Sequence, residues 1–187
     1  MVFLTRRRRH LATAAIVALL TPWSVPARAI QTTLENDVKA AFLYNFTKFI
    51  EWPPPPQPAA DPFRLCVLAD PAFTRAVDST IADEAVDGRR LVRVEPQSVD
   101  EVRGCAILYV GRDHLDRGAR LLAAARDLPI LTVGEGPQFV EHGGAIGFVL
   151  ENNRVRFDVS SRAVQRSGLK VSSKLLRVAR SVKGGVR

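Results

Sequence analysis

Residues 105–110 read CAILYV, residues 114–126 read HLDRGARLLAAAR, and residues 130–133 read ILTV. The first and third stretches are short and almost wholly apolar, which is how a strand buried on both faces reads. The middle stretch offers Leu115, Leu121 and Leu122 to a core between charged positions, and this predicts a helix over 114–126. Strand, helix and strand in close succession make a parallel crossover unit, and this unit sets the fold class.

The same alternation extends in both directions. Upstream, a strand over 63–68 ends at Asp70-Pro71, a helix follows over 73–81, and a strand over 90–94 starts after the turn Asp87-Gly88. Residues 99–102 form a helical turn. Downstream, Gly134-Glu135-Gly136-Pro137 is a loop leading into a short helix that ends by His142. Strands over 145–150 and 154–159 flank Glu151-Asn152-Asn153, a hairpin turn because asparagine tolerates positive φ. Ser160 or Ser161 caps a short helix ending at Gly168, and Ser172 caps a last helix reaching about residue 182. Its apolar face is Leu175, Leu176, Ala179 and Val182. At the other end, a helix over 31–51 carries Val38, Phe42, Phe46 and Phe49 on one face, and Pro53-Pro54-Pro55-Pro56 stops it. The expectation is a single-domain α/β sandwich. Its central sheet is mostly parallel, has about six strands and an antiparallel hairpin edge, and carries helices on both faces.

The chain is 187 residues long with a formal net charge of +8. Taken whole, that charge would suggest a polyanion binder. Its distribution says otherwise. Arg6 to Arg9 form a basic block, residues 11–20 an apolar run of ten, and Ala27-Arg28-Ala29 an A-x-A site. This is the order of a secretory signal peptide, and the apolar run is too short to span a bilayer. Residues 1–29 are thus expected to be cleaved, leaving residues 30–187 as one periplasmic domain. The leader takes five arginines and no acid with it, so the net charge falls to +3. Residues 160–187 hold eight basic residues and no acid, whereas residues 30–159 hold 14 basic and 19 acidic. No nucleic-acid partner is expected.

Catalytic groupings are missing from the sequence. Neither His114 nor His142 belongs to a metal-ligand cluster. No nucleophile elbow, P-loop or dinucleotide-binding turn is present, so no enzyme activity, cofactor or metal is expected. Asp83-Glu84 and Asp100-Glu101 read as solvated loop charges. Cys66 and Cys105 are the only cysteines. An even count in an oxidising compartment favours a disulfide between them; the alternative is two buried free thiols. Tyr44 lies off the aromatic stripe of the first helix and is a candidate partner contact, since aromatics so placed often anchor interfaces. Trp52, at the end of that helix, either anchors an interface or closes the bottom of the core. The basic last helix offers Lys174 and Arg177 to anionic headgroups or an acidic protein partner, or is simply docked with a solvated cationic face.

Two long blocks carry a resemblance. VKAAFLYNFTKFIEWP at 38–53 and GLKVSSKLLRVA at 168–179 closely resemble the opening and closing blocks of the YfiR family. RVRFDV at 154–159, the strands around both cysteines, ILTV, and Gly143-Gly144 fall in the family's order between them. The family is one of exported α/β proteins, named after a periplasmic repressor of an inner-membrane diguanylate cyclase. The resemblance implies a soluble periplasmic input to a membrane-bound signalling enzyme. The partner it implies is the periplasmic domain of a diguanylate cyclase or related receptor, with release by an outer-membrane lipoprotein. By the same analogy, partner contacts fall near Leu169, Lys170 and Val171, in a link whose apolar residues look exposed. The family's namesake has a cysteine pair at these two places and a second pair for which this chain has no cysteines. A homodimer and a small ligand stay open, and a periplasmic small-ligand binder without a cyclase partner is the rival reading.

Overall fold

The computed structural model describes residues 27–54 and 62–184, with the side chains of 27–30 left out. The basic block and apolar run of the expected leader lie outside the described residues, as do the last two prolines of the run at 53–56.

The chain runs through α1 (Ala27–Phe49), β1 (Ile50–Glu51), β2 (Phe63–Leu68), α2 (Pro71–Ile81), β3 (Ala85–Val86), β4 (Arg89–Val94) and α3 (Val99–Val102). It continues through β5 (Ile107–Val110), a 3-10 turn (Arg112–His114), α4 (Leu115–Ala125), β6 (Leu131–Glu135), α5 (Pro137–Glu141), β7 (Ile146–Glu151) and β8 (Arg154–Ser160). The last elements are α6 (Ser161–Arg166), β9 (Lys170–Val171), α7 (Ser173–Val178) and β10 (Ser181–Lys183).

Eight strands form the main sheet in the order β10-β8-β7-β6-β5-β2-β4-β3. Its central five strands, β7, β6, β5, β2 and β4, are parallel. This is the α/β sandwich read from the alternation, with two more strands than the sequence predicted. The β7–β8 hairpin is antiparallel, and Asn152 and Asn153 adopt φ of 48° and 60°, as a primed hairpin turn requires. It is not the edge, because β10 pairs in parallel beyond β8.

The sheet buries two cores, one on each face, because side chains alternate along a strand. Leu65, Val67, Ile107, Tyr109, Leu131 and Val133 face α1 and α2 and join the larger cluster. Cys66, Leu68, Leu108 and Val110 face the other way, with Val102 of α3 and Leu121 and Ala125 of α4. Caps fix where helices begin. The Asp70 carboxylate accepts from the backbone N–H groups of Ala72 and Phe73 at 2.8 and 3.0 Å, ahead of Pro71 at the first helical position. Ser98, Ser160 and Ser172 cap α3, α6 and α7.

Four expectations need correction. The buried face of α1 is centred on Ala40, Leu43 and Phe46, while Phe42 and Phe49 are only partly buried on its flank. Leu115 is 42% exposed rather than in the core. Gly134 and Glu135 continue β6 instead of forming a loop. The last helix ends at Val178, not near residue 182. Ala179 turns extended, the Arg180 N–H donates to the Phe157 carbonyl at 2.8 Å, and residues 181–183 pair with β8. The helical spacing of Val182 was genuine, but strand pairing wins, and Val182 is 43% exposed.

Gly134 shows how tightly α5 seats on the sheet. A Cβ there would meet the Phe139 ring at 2.3 Å, and one at Gly144 would meet it at 2.1 Å. Gly134→Ala is expected to cost about 1–3 kcal/mol, as overpacking does, and to lower the urea midpoint. An unchanged midpoint would show that Phe139 moves aside freely.

Candidate functional site

The two segments singled out in the sequence, the end of the first helix and residues 168–177, meet in the fold. β1 and β9 form their own two-stranded antiparallel sheet, pairing Ile50 with Val171 and Glu51 with Lys170. The Ser172 N–H extends the junction by donating to the Phe49 carbonyl at 2.9 Å. Trp52 follows directly. Its indole N–H donates to the Ala106 carbonyl at 3.2 Å, and its ring stands edge-on to Phe63 with centroids 5.1 Å apart. Trp52 therefore closes the core beneath β2 while staying half-buried. The link is less exposed than its sequence suggests: Leu169 is buried, Val171 is half-buried, and Gly168 and Lys170 are exposed.

Lys170, Lys174 and Arg177 are exposed and make no ion pair with any described residue. The other described cations of the basic end behave differently, Arg162 excepted. Arg166 lies 3.7 Å from Asp127, and Lys183 reaches Glu141 at 2.7 Å. That hydrogen bond holds the Glu141 carboxyl below its usual value. Arg180 grips the fully buried Asp158 through two guanidinium nitrogens, at 2.8 and 2.5 Å. Burial pushes the Asp158 carboxyl up, but the guanidinium, helped by the Ser181 hydroxyl and the Lys183 charge, outweighs this and leaves it below the ordinary carboxylate value. The cationic end is thus partly structural. The unspent positive charge is concentrated on α7 and the start of β9.

Tyr44 belongs to a different contact. Its hydroxyl donates to Glu84, at the end of the α2 loop, and the Lys48 ammonium sits 3.9 Å from its ring centroid. It ties α1 to the α2 side of the molecule.

Cys66 and Cys105 are joined, with Cα atoms 5.7 Å apart. β2 and β5 are neighbours, and Cys66 stands opposite Leu108. Cys105 lies two residues before β5, where the chain is free of the ladder and can approach. Both sulfurs are buried in the smaller core.

One polar cluster went unread in the sequence. Lys39 is buried on α1, and its ammonium lies 2.6 Å from Glu35 and 3.1 Å from Glu135. The Tyr109 hydroxyl donates to the same Glu135 carboxylate at 2.6 Å. Burial, with that carboxylate beside it, pushes the Tyr109 phenol well above its usual value. The cluster fastens α1 to the C-terminal ends of β5 and β6. The only available signal was a lysine on the apolar face of a helix. Among the described residues, no group of three His, Cys, Asp or Glu side chains could hold a metal.

The profile of the YfiR/HmsC-like family matches residues 36–180. The chain belongs to that family. Membership supports a regulatory role in periplasmic cyclic-di-GMP signalling, in a family of regulators rather than catalysts. No helix among the described residues is long and apolar enough to cross a membrane. Two solved structures are similar over part of their length. A conserved domain protein from Vibrio cholerae is 13% identical, with 64% of this chain and 54% of that one covered and a TM-score of 0.48. The ABC domain from Streptococcus pneumoniae, in complex with L-Trp, is 10% identical, with 64% and 55% covered and a TM-score of 0.47. The chain thus spans about half the length of the solved structures it matches.

Proposed function

We propose that the protein is exported by cleavage after Ala29 and that it binds and restrains the periplasmic sensor domain of an inner-membrane diguanylate cyclase. The observation that carries this reading is the family match over residues 36–180. The surface put forward for the sensor domain is the β1–β9 junction with α7. Lys170, Lys174 and Arg177 supply unspent charge there, beside the half-buried Trp52 and Val171. An acidic patch on the sensor domain would complement it, steering association and fixing register.

Deleting the gene is expected to raise cellular cyclic-di-GMP, and the wild-type copy to restore it. A Lys174→Glu/Arg177→Glu copy is expected to be made at equal level yet fail to restore it, because both residues are exposed and their reversal leaves the fold intact. With purified sensor domain, the same double variant should bind about tenfold more weakly or worse, about 1.4 kcal/mol. Arg75→Glu, an exposed reversal on α2, should behave as wild type. Unchanged cyclic-di-GMP after deletion would sink the cyclase reading. Full rescue by the double variant would remove α7 from the interface.

A further inference from the structure

α4 carries two apolar stripes; one is buried in the core, and the other touches it only through the partly buried Leu122. Gly118, Leu121 and Ala125 are buried against the sheet. Leu115, Ala119, Leu122 and Ala123 lie on a second stripe that ends in Arg126, and they line a cleft. This is why Leu115 stays 42% exposed despite its place in the helical pattern. Pro137 and Phe139 of α5 and Ala163 of α6 make the opposite wall, with Thr132 and Gly144 also lining it. The space between has a volume of about 650 Å³. Small-molecule sites fall in the range of about 300–1,000 Å³ and pair apolar walls with a few polar groups.

The charged groups are mostly of one sign. Arg112, Arg126 and Arg166 line the cleft, against a single carboxylate, Glu135. Glu135 is already engaged by Tyr109 and Lys39. Arg166 is held in place by donating to the Arg126 carbonyl at 3.4 Å and the Gly143 carbonyl at 3.1 Å, and it lies 3.7 Å from Asp127 outside the cleft lining. The Arg126 guanidinium has no hydrogen bond or ion pair with a described residue. Arg112 is 74% exposed and lies 3.8 Å from Glu135. Apolar walls with the unpaired Arg126 and the exposed, loosely paired Arg112 suit one kind of molecule, since guanidinium pairs carboxylates by charge-assisted hydrogen bonds.

We propose that this cleft binds a small amphipathic anion, a carboxylate on a medium-length aliphatic or flat aromatic body. The site lies between α4, α5 and α6, apart from the β1–β9 junction, and does not depend on the cyclase reading.

The test uses purified protein, titrated calorimetrically and by amide chemical shifts with decanoate, 2-naphthoate, decanol and decylammonium. Decanoate or 2-naphthoate should bind, with shifts centred on Leu115, Ala119, Phe139 and Gly144. Decylammonium should bind at least about tenfold more weakly than decanoate. Arg112→Gln/Arg126→Gln should weaken decanoate by about tenfold and leave decanol unchanged. Ala119→Trp, on an exposed helical position, should fill the cleft and abolish binding. Each of the following would overturn the proposal: no binding of either carboxylate, equal affinity for all three decyl head groups, or undiminished binding to Ala119→Trp. So would attachment to phosphatidylglycerol vesicles without binding of free decanoate.

Discussion

Cys66→Ala/Cys105→Ala is expected to lower stability by about 4 kcal/mol, since the bridge closes a 39-residue loop whose freedom in the unfolded chain is otherwise unrestricted. For a domain of this size, that corresponds to a fall of roughly 8–16 °C in the thermal midpoint. The bridge joins a strand in the middle of the parallel sheet to the chain leading into its neighbour, so it acts on the centre of the fold. Both cysteines are buried, at 1% and 5% exposure, and a reductant reaches them only when the domain opens. Wild-type protein treated with dithiothreitol under native conditions should therefore keep its midpoint for longer than protein reduced in urea and refolded. Protein made in a reducing cytoplasm should match the double variant rather than protein purified with the bridge formed, which links stability to redox conditions. A double variant that melts within 2 °C of wild type would show that the bridge adds nothing to the packing around it.

The parts of the fold that were legible in the sequence have a local cause. β2 matches the sequence prediction to the residue, because FRLCVL is apolar at every position but the exposed Arg64 and is bounded by Pro62 and Asp70. α2 ends at Ile81 as the sequence predicts but begins two residues earlier, because Asp70-Pro71 caps the helix instead of only closing the strand. The hairpin at Asn152-Asn153 followed from turn chemistry alone. What was misread depends on partners distant in sequence. Residues 175–182 keep a helical apolar rhythm, yet the chain leaves the helix after Val178 because Asp158 and the open edge of β8, some 20 residues upstream in sequence, hold Arg180 and residues 181–183. Leu169 looked exposed because its burial depends on the β1–β9 pairing, which joins segments more than 100 residues apart. The candidate surface was partly visible for the same reason. Charge at Lys170, Lys174 and Arg177 can be read directly, but its proximity to Trp52 cannot. The Lys39–Glu135–Tyr109 cluster draws on three elements, and no spacing rule predicts it.

Arg180→Leu is expected to destabilise the fold by about 3 kcal/mol, since removing one partner of a buried ion pair strands the other charge. The value sits at the low end of the usual range because the Arg180 side chain is 30% exposed and was never fully desolvated, whereas Asp158 is fully buried. Asp158→Asn should cost less, because the guanidinium left behind can turn to water and to Glu151, 3.7 Å away. The double variant should cost less than the two single variants summed, which is the mark of a direct pair. The pH dependence separates this mechanism from simple loss of packing. In the wild type the folded Asp158 carboxyl titrates below its unfolded value of about 3.9. Its contribution is therefore complete above that pH and is lost as pH falls through the folded value. Without the guanidinium, burial is opposed only by the Ser181 hydroxyl and the Lys183 charge, and the folded value rises from its wild-type position. The Arg180→Leu deficit should then shrink below about pH 4, where Asp158 is protonated in both states of the variant and costs no buried charge. A deficit that stays constant from neutral pH to pH 3 would mean that Arg180 holds β10 by its packing and backbone contacts. The carboxylate would then be incidental, and the strand that displaced the end of the last helix would owe its place to the β8 ladder alone.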